Sequence, residues 1–355
     1  MPLIIGGGPA GAAAAIRLAQ GGLPAIIVER SPGPPDQLCG GFLSWTTLRR
    51  LQAVGVDAFA FGAAPVRRAR LFSRGRIAEV RLPADAAGLS RKALDQALLD
   101  RAAQAGAEIR RGLAVRSIEG RTVHYADGSS ETPKRVLLAT GKHDVRGAIR
   151  PVPGHDPAMG LRWRFAASPR LRQALGDAIE LHLFDRGYAG LVLQEEGCAN
   201  LCLAVRHSAF LSAGRNPVAM LETLLRTVPS LAERLTDEQD MGQAQAVANI
   251  PYGWRAHGPA MDLYRVGDQI GVIPSLAGEG IGIALLSGMT AADAIMRNVG
   301  PDAYQRALSS RLARPIGLAG LLWRMAERPP FSSRALPLLA GLPSVTRTAM
   351  RLTRI

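Results

Sequence analysis

Three glycines, Gly6, Gly8 and Gly11, fall in the order G-x-G-x-x-G within PLIIGGGPAGAAAAIRLAQGGLPAIIVER, and an acid, Glu29, closes the apolar run that follows. The chemistry of that spacing is the capture of a pyrophosphate by backbone. The first glycine permits a tight turn, the second lets the main chain approach phosphate, and the third lets a helix pack closely on the preceding strand. Pro9 and Ala10 occupy the variable positions and open the helix, whose free amides and positive end then face the phosphates. A carboxylate about 20 residues past the glycines is where ribose hydroxyls are bonded. Glu29 takes that place, with Arg30 beside it. Together these residues predict an adenine dinucleotide site. Just downstream, QLCGGFLSWTTLRR sets the thiol of Cys39 against Gly40 and Gly41. Further on, ATGKHDVRGAIR contains His143, a side chain suited to proton transfer near neutral pH.

The elements that must position these groups are legible from periodicity. A strand from about Leu3 feeds the glycine turn, the run Ala12 to Ala15 forms the helix, and a second strand covers Ala25 to Val28. LSRKALDQALLDRAAQAGAEI has apolar residues at helical spacing and leads into a strand. RVLLATGKH supplies another strand, ending in Ala139, Thr140 and Gly141. Far downstream, YRVGDQIGVIPSLAGEGIGIALLSGMTAADAIM reads as a strand through Val266, then Gly267 and Asp268, then Pro274, then Gly278-Glu279-Gly280 opening a long helix of small residues.

That downstream segment resembles the second FAD motif of the flavoprotein family containing the aromatic hydroxylases (group A flavin monooxygenases) and the geranylgeranyl reductases. By that resemblance Asp268 holds a ribityl hydroxyl, and the amides around Gly280 and Ile281 lie at the N1 and O2 edge of the flavin. On its residues alone the segment is also a strand-to-helix turn capped by Asp268. The helix beginning at Arg91 resembles the family's R-x-x-L-D-x-x-L helix, in which the arginine reaches the phosphates; otherwise Arg91 is a solvated residue of the first turn. A Cys-Gly-Gly element after the second strand is similar to one that lies along the isoalloxazine in the reductases. This makes Cys39 a flavin neighbour, with Ser44 capping a short helix; the alternative is a buried, inert thiol.

DRGYAGLVLQEEGCANLCLAV resembles the reductases' segment in which a tyrosine and a tryptophan flank an isoprenoid channel. Tyr188 fits, whereas Leu191 to Gln194 stand where the tryptophan and a Phe-Pro belong. Tyr252, Trp254 and Leu191 are placed at the substrate cavity, the aromatic pair having core packing as its other reading. Hydroxylases carry A-D-G-x-x-S-x-x-R after the closing strand. Here Thr140 replaces the aspartate and Asp144 the serine. Either NADPH or NADH is engaged differently, or electrons come from elsewhere. Lys142, His143 and Arg146 hold an anionic nicotinamide cofactor or acidic substrate, or are simply solvated. The candidate catalytic residues are His143, Cys39 and Tyr188.

Composition sets the remaining bounds. The 355 residues are 47% hydrophobic and carry a formal charge of +14, but all basic residues except Lys92, Lys134 and Lys142 are arginines scattered along the chain. That scatter argues against a nucleic-acid stripe. Cys39, Cys198 and Cys202 make neither a metal-ligand quartet nor an even disulfide set, so no metal is expected and a reducing cytoplasm is. With a strand from Leu3 no signal peptide is expected, and no apolar stretch of ~20 residues would span a bilayer. From Arg314 onward seven arginines face one acid, Glu327, between the apolar blocks PIGLAGLLW and ALPLLAGLP. Such a tail either lies on the inner face of an anionic membrane or covers the cavity as a lid.

The expected fold is α/β: a Rossmann-like, GR2-type FAD-binding domain with an inserted antiparallel-sheet substrate domain and a helical C-terminal tail. The first comprises residues 1–66, 89–150 and 256–298, the second 67–88 and 151–255, and the tail 299–355. Three activities stay open. They are a monooxygenase of a lipophilic phenolic or polyketide-type substrate, placed first; a reductase of C=C bonds in an isoprenoid or other lipid; and a carrier that binds lipid without flavin.

Overall fold

The computed structural model describes residues 1–151, 154–238, 240–341 and 343–355. Five short parallel strands form one sheet in the order Leu263–Arg265, Val136–Leu138, Leu3–Ile5, Ile26–Glu29, Glu108–Arg111. Leu3–Ile5 and Val136–Leu138 are buried at every position, the run expected of strands covered by helices on both faces. Helix Pro9–Gln20 leaves the first strand through the glycine turn. Helix Gly280–Met296 crosses it so closely that a Cβ at Gly288 would overlap the Ala10 carbonyl. The alanine run and the small residues of the later helix therefore fit each other as two smooth surfaces, and Arg17 clamps the crossing to Asp293 at 2.8 Å.

The second sheet has eight strands, in the order Gln245–Ile250, Ala158–Ala166, Cys198–Arg206, Gly187–Leu193, Ala178–Phe184, Ala64–Ser73, Arg76–Gly88, Phe42–Leu43. It is antiparallel except where Ala178–Phe184 runs parallel to Ala64–Ser73. That parallel pair joins two separate excursions of the chain, which a hairpin cannot do. On one face the sheet packs against helices Pro169–Leu175, Pro217–Thr227 and Pro229–Leu235 around Leu161, Trp163, Leu191, Leu201 and Leu231. A small three-stranded sheet, Val115–Glu119, Thr122–Tyr125 and Ser130–Glu131, covers the far side of the parallel sheet. Helices Pro301–Ala326, Pro329–Gly341 and Pro343–Leu352 close the open face of the large sheet. Among the described residues no helix is long and apolar enough to cross a membrane.

Candidate active site

One cavity of about 1070 Å³ runs from the glycine turn, past the Gly280–Met296 helix start, to the space between the large sheet and the last three helices. Its nucleotide end is built by backbone. Gly6 has φ 111° and packs onto the Ala139 carbonyl, where a side chain has no room. The Gly7 amide donates to Glu29 Oε2 at 2.8 Å and the Ser31 amide to Oε1 at 2.9 Å. Those bonds fix the carboxylate at the cavity wall, and each oxygen keeps a lone pair for a ribose hydroxyl. Arg91 is gripped by Asp95 at 2.8 and 2.6 Å, and its guanidinium lies beside Gly8. Arg111 also lines this end, and its Nη1 is buried with no hydrogen-bond partner among the described residues. A buried donor with no acceptor is costly, and the phosphates of a dinucleotide would remove that cost. The glycine cradle, the fixed acid and the orphaned guanidinium thus fit FAD.

Gly11 does not reach the cavity. A Cβ there would overlap the Gly6 carbonyl, so its work is the close packing of helix on strand. Gly8, Pro9, Ala10, Arg30, Thr140, Gly141, Gly267, Asp268, Gly278, Gly280 and Ile281 all line the wall; Pro274 stands behind it, where its carbonyl accepts from the Ala277 amide. Cys39, Gly40 and Gly41 line it too, held from below by the buried Asn200, whose Nδ2 donates to the carbonyls of Cys39 (3.2 Å) and Gly40 (2.9 Å). Ser44 caps helix Trp45–Ala53 by accepting from the Thr47 amide.

His143 meets Arg30, ring nitrogen to guanidinium at 2.6 Å, at the nucleotide end. Burial, with Arg30 and Lys142 beside it, pushes its pKa below the ordinary value, so the ring is neutral at pH 7. Lys142 is not merely solvated: its ammonium donates to the Leu38 carbonyl at 2.9 Å, tying the loop after Thr140 to the Cys39 loop.

Beyond the flavin end the walls become aliphatic: Leu71, Leu181, Leu183, Val192, Leu322 and Leu336 face inward. Here Tyr188 and Tyr252 both donate to Ser275 Oγ, at 2.8 and 2.6 Å. Burial holds both phenols well above their ordinary pKa, and burial pushes the neighbouring Cys202 thiol up to about 12. These groups are neutral and proton-bearing at pH 7.

Two expected cavity residues are elsewhere. Leu191 faces the helices on the opposite side of the sheet, because Tyr188, Gly190 and Val192 take the cavity face of their strand and alternation sends Leu191 the other way. Trp254 packs on the nucleotide-domain core with the Arg150 guanidinium 5.8 Å from its ring, leaving only Tyr252 of that pair at the wall. Arg111 and Asn200 had no local signal; both matter only through strand pairing, Arg111 lying opposite Glu29 in register.

Residues 2–147 match the family model described as an FAD binding domain. The chain is 26% identical to a menaquinone reductase of Mycolicibacterium smegmatis, over 98% of this chain and 90% of the relative. It is 25% identical to digeranylgeranylglycerophospholipid reductase 2 of Methanopyrus kandleri, over 84% of this chain and 78% of the relative. A solved geranylgeranyl bacteriochlorophyll reductase-like protein of Thermoplasma acidophilum superposes with a TM-score of 0.80 at 20% identity, covering 99% of this chain and 94% of that one. The chain is an FAD-dependent oxidoreductase, similar over most of its length to these reductases.

Proposed function

We propose that the chain reduces a carbon–carbon double bond of an isoprenoid or similarly apolar lipid. The observation that carries this is the aliphatic extension of the cavity beyond the flavin end, a shape and lining suited to a long hydrocarbon chain. The names of the menaquinone and digeranylgeranylglycerophospholipid reductases support it. Reduced FAD, when bound, supplies the hydride. The aliphatic walls hold the alkene and exclude water, and the Tyr188–Ser275–Tyr252 hydroxyls hold the proton that completes the addition. The hydroxylase reading that the sequence puts first loses ground. A phenol substrate calls for a nearby base, and the two phenols and Cys202 at this end are protonated at pH 7. NADPH or NADH is the proposed donor, approaching the exposed Arg30, Lys142 and His143.

The test is anaerobic turnover of a geranylgeranyl lipid, with NADPH, NADH or dithionite as reductant in separate arms. A product heavier by two hydrogens is expected. A product bearing an added oxygen, formed only in air, would replace this reading with the hydroxylase.

We further propose contact with an anionic membrane surface. The hairpin turn carrying Arg74 and Arg76 meets the start of helix Pro329–Gly341, where Ser73 and Ser332 share a hydrogen bond of 2.8 Å. Ile77 (62% exposed) on the hairpin and Phe331 (60%) on the helix are exposed on these two elements, which also carry the exposed Arg74, Arg76 and Arg334, with the exposed Arg328 just before the helix, and Ser332 and Leu336 of the same helix line the cavity. Apolar side chains rimmed by arginine suit a bilayer interface. The double variant Ile77→Ser, Phe331→Ser is expected to lose most co-sedimentation with anionic vesicles; undiminished binding would rule this surface out.

A further inference from the structure

The three residues after helix Pro343–Leu352 turn back to the start of helix Gly280–Met296. Arg354 sits in the cavity wall next to Gly278 and Gly280. Its Nη1 donates to the Ala277 carbonyl at 2.5 Å and to Glu279 Oε1 at 2.8 Å, and its guanidinium lies 4.6 Å over the ring of Trp45. Arg50 donates to the Ile355 carbonyl, and Ile355 itself packs on the nucleotide-domain core. A segment distant in sequence is thus fastened from three sides to the flavin end of the cavity.

The acid it meets is unusual. Glu279 is fully buried, it is not part of the cavity wall, and among the described residues its Oε2 has no hydrogen-bond partner. Behind it Gly282 and Thr47 crowd the carboxylate so tightly that a side chain at Gly282 would overlap Oε2. An isolated buried carboxylate is costly enough to drive neutralisation. Arg354 supplies a counter-charge, and because it lies between Glu279 and the cavity, the pair points its positive end at the cavity. The first turn of the 280–296 helix, with its own positive end, lines the same stretch of wall. Two-electron reduction of a flavin builds negative charge, and a cation placed beside it favours the reduced form.

We infer that Arg354 is a positioning residue for the cofactor's electrostatics: tethered by Glu279, it holds positive charge against the bound flavin and raises its reduction potential. This rests on FAD occupying the cradle and not on the identity of the lipid. The potential is measured without substrate, so its outcome is separate from that of the reductase proposal.

The experiment is an anaerobic redox titration of the FAD-loaded, full-length protein against a reference dye, for wild type, R354A, R354K and E279Q. In R354A the ratio of reduced to oxidised flavin at fixed potential is expected to fall about tenfold, which for a two-electron couple is about 30 mV. R354K should recover most of that loss, because it restores the charge without the fork. E279Q should move the potential in the opposite direction, upward, because the buried negative charge is removed while the arginine stays. Opposite signs are the signature of charge, since mere loosening of the site would move both variants alike. If R354A does not retain FAD, R354K and E279Q decide: a lysine variant near wild type with a raised E279Q supports the inference. Unchanged potentials, or shifts of the same sign in R354A and E279Q, would overturn it.

Discussion

Gly11→Ala should yield a colourless protein. The added methyl would overlap the Gly6 carbonyl oxygen and lie 3.0 Å from the Ile4 side chain, and neither neighbour is free to move. Ile4 is buried in the middle strand of the parallel sheet, and Gly6 is pressed onto the Ala139 carbonyl at φ 111°. The helix 9–20 would have to lift off the strand, but helix 280–296 holds it in place through the Gly288 and Ala10 contact. Overpacking costs about 1–3 kcal/mol and more where the surroundings cannot absorb it. The part that shifts is the first helical turn, whose amides face the pyrophosphate. The visible spectrum of the purified variant and its FAD content measure the effect; a yellow Gly11→Ala protein with full FAD would show that the third glycine does not set this geometry.

Glu180→Ala should be the most destabilising change outside the cofactor site. Glu180 is fully buried beneath the outer helices, with Arg70 at 3.0 Å, Arg234 at 2.9 Å and His182 at 3.4 Å. His182 is itself buried, stacked on Phe72 at 4.5 Å and bonded through Nδ1 to Ser230. Removing the acid takes away the buried carboxylate that Arg70 and Arg234 share and leaves them only their more exposed partners, Glu79 at 2.6 Å and Glu233 at 3.3 Å, a loss of about 3 kcal/mol. Although burial alone would raise it, bonds and charges from His182 and Arg234 hold the Glu180 pKa at about 2, below its ordinary 4.5.

The sign follows from that depression. Glu180 adds about 3 kcal/mol of stability at pH values above about 4.5, and that contribution is lost as pH falls toward 2. His182, held neutral by burial below its ordinary 6.5, adds a loss in the same direction as acid forces a proton onto it. Urea unfolding at pH 7 and at about pH 3 should therefore show a large gap for wild type and a much smaller one for Glu180→Gln. Equal midpoints for wild type and Glu180→Ala at pH 7 would contradict this account of the network.

The nucleotide half of the site was legible in the sequence because its chemistry is done by backbone. A glycine that must lack a side chain announces itself locally, and so does an acid at the end of the next strand. The Cys39-Gly40-Gly41 turn was readable for the same reason, as Gly41 has φ 69° and packs against Gln194. The failures have one cause as well. Leu191 stands where the resembling segment has its channel tryptophan, but the face a strand residue takes depends on which side carries the helices, and alternation alone leaves that choice open. Trp254 failed similarly, since an aromatic suits a cavity wall and a core equally. Arg111, Asn200 and Arg354 reach the site only through partners distant in sequence, Glu29, Cys39 and Glu279. The parallel pairing of 178–184 with 64–73 was invisible for that reason too.

The tail shows how two readings of one segment can both follow from its composition. Its alternation of apolar and arginine blocks fits a bilayer or a lid. Ala319, Leu322, Met325 and Leu336 of this tail line the cavity. The arginines on its outer side remain for the vesicle experiment to assign.

The central claim is that the reduced protein passes its electrons to an alkene rather than to oxygen. The most direct measurement is the visible spectrum of pre-reduced, FAD-loaded protein mixed anaerobically with a geranylgeranyl lipid. The account predicts that the oxidised flavin band returns in step with lipid consumed, without oxygen. A band that stays bleached until air is admitted, while the lipid is recovered unchanged, would contradict it.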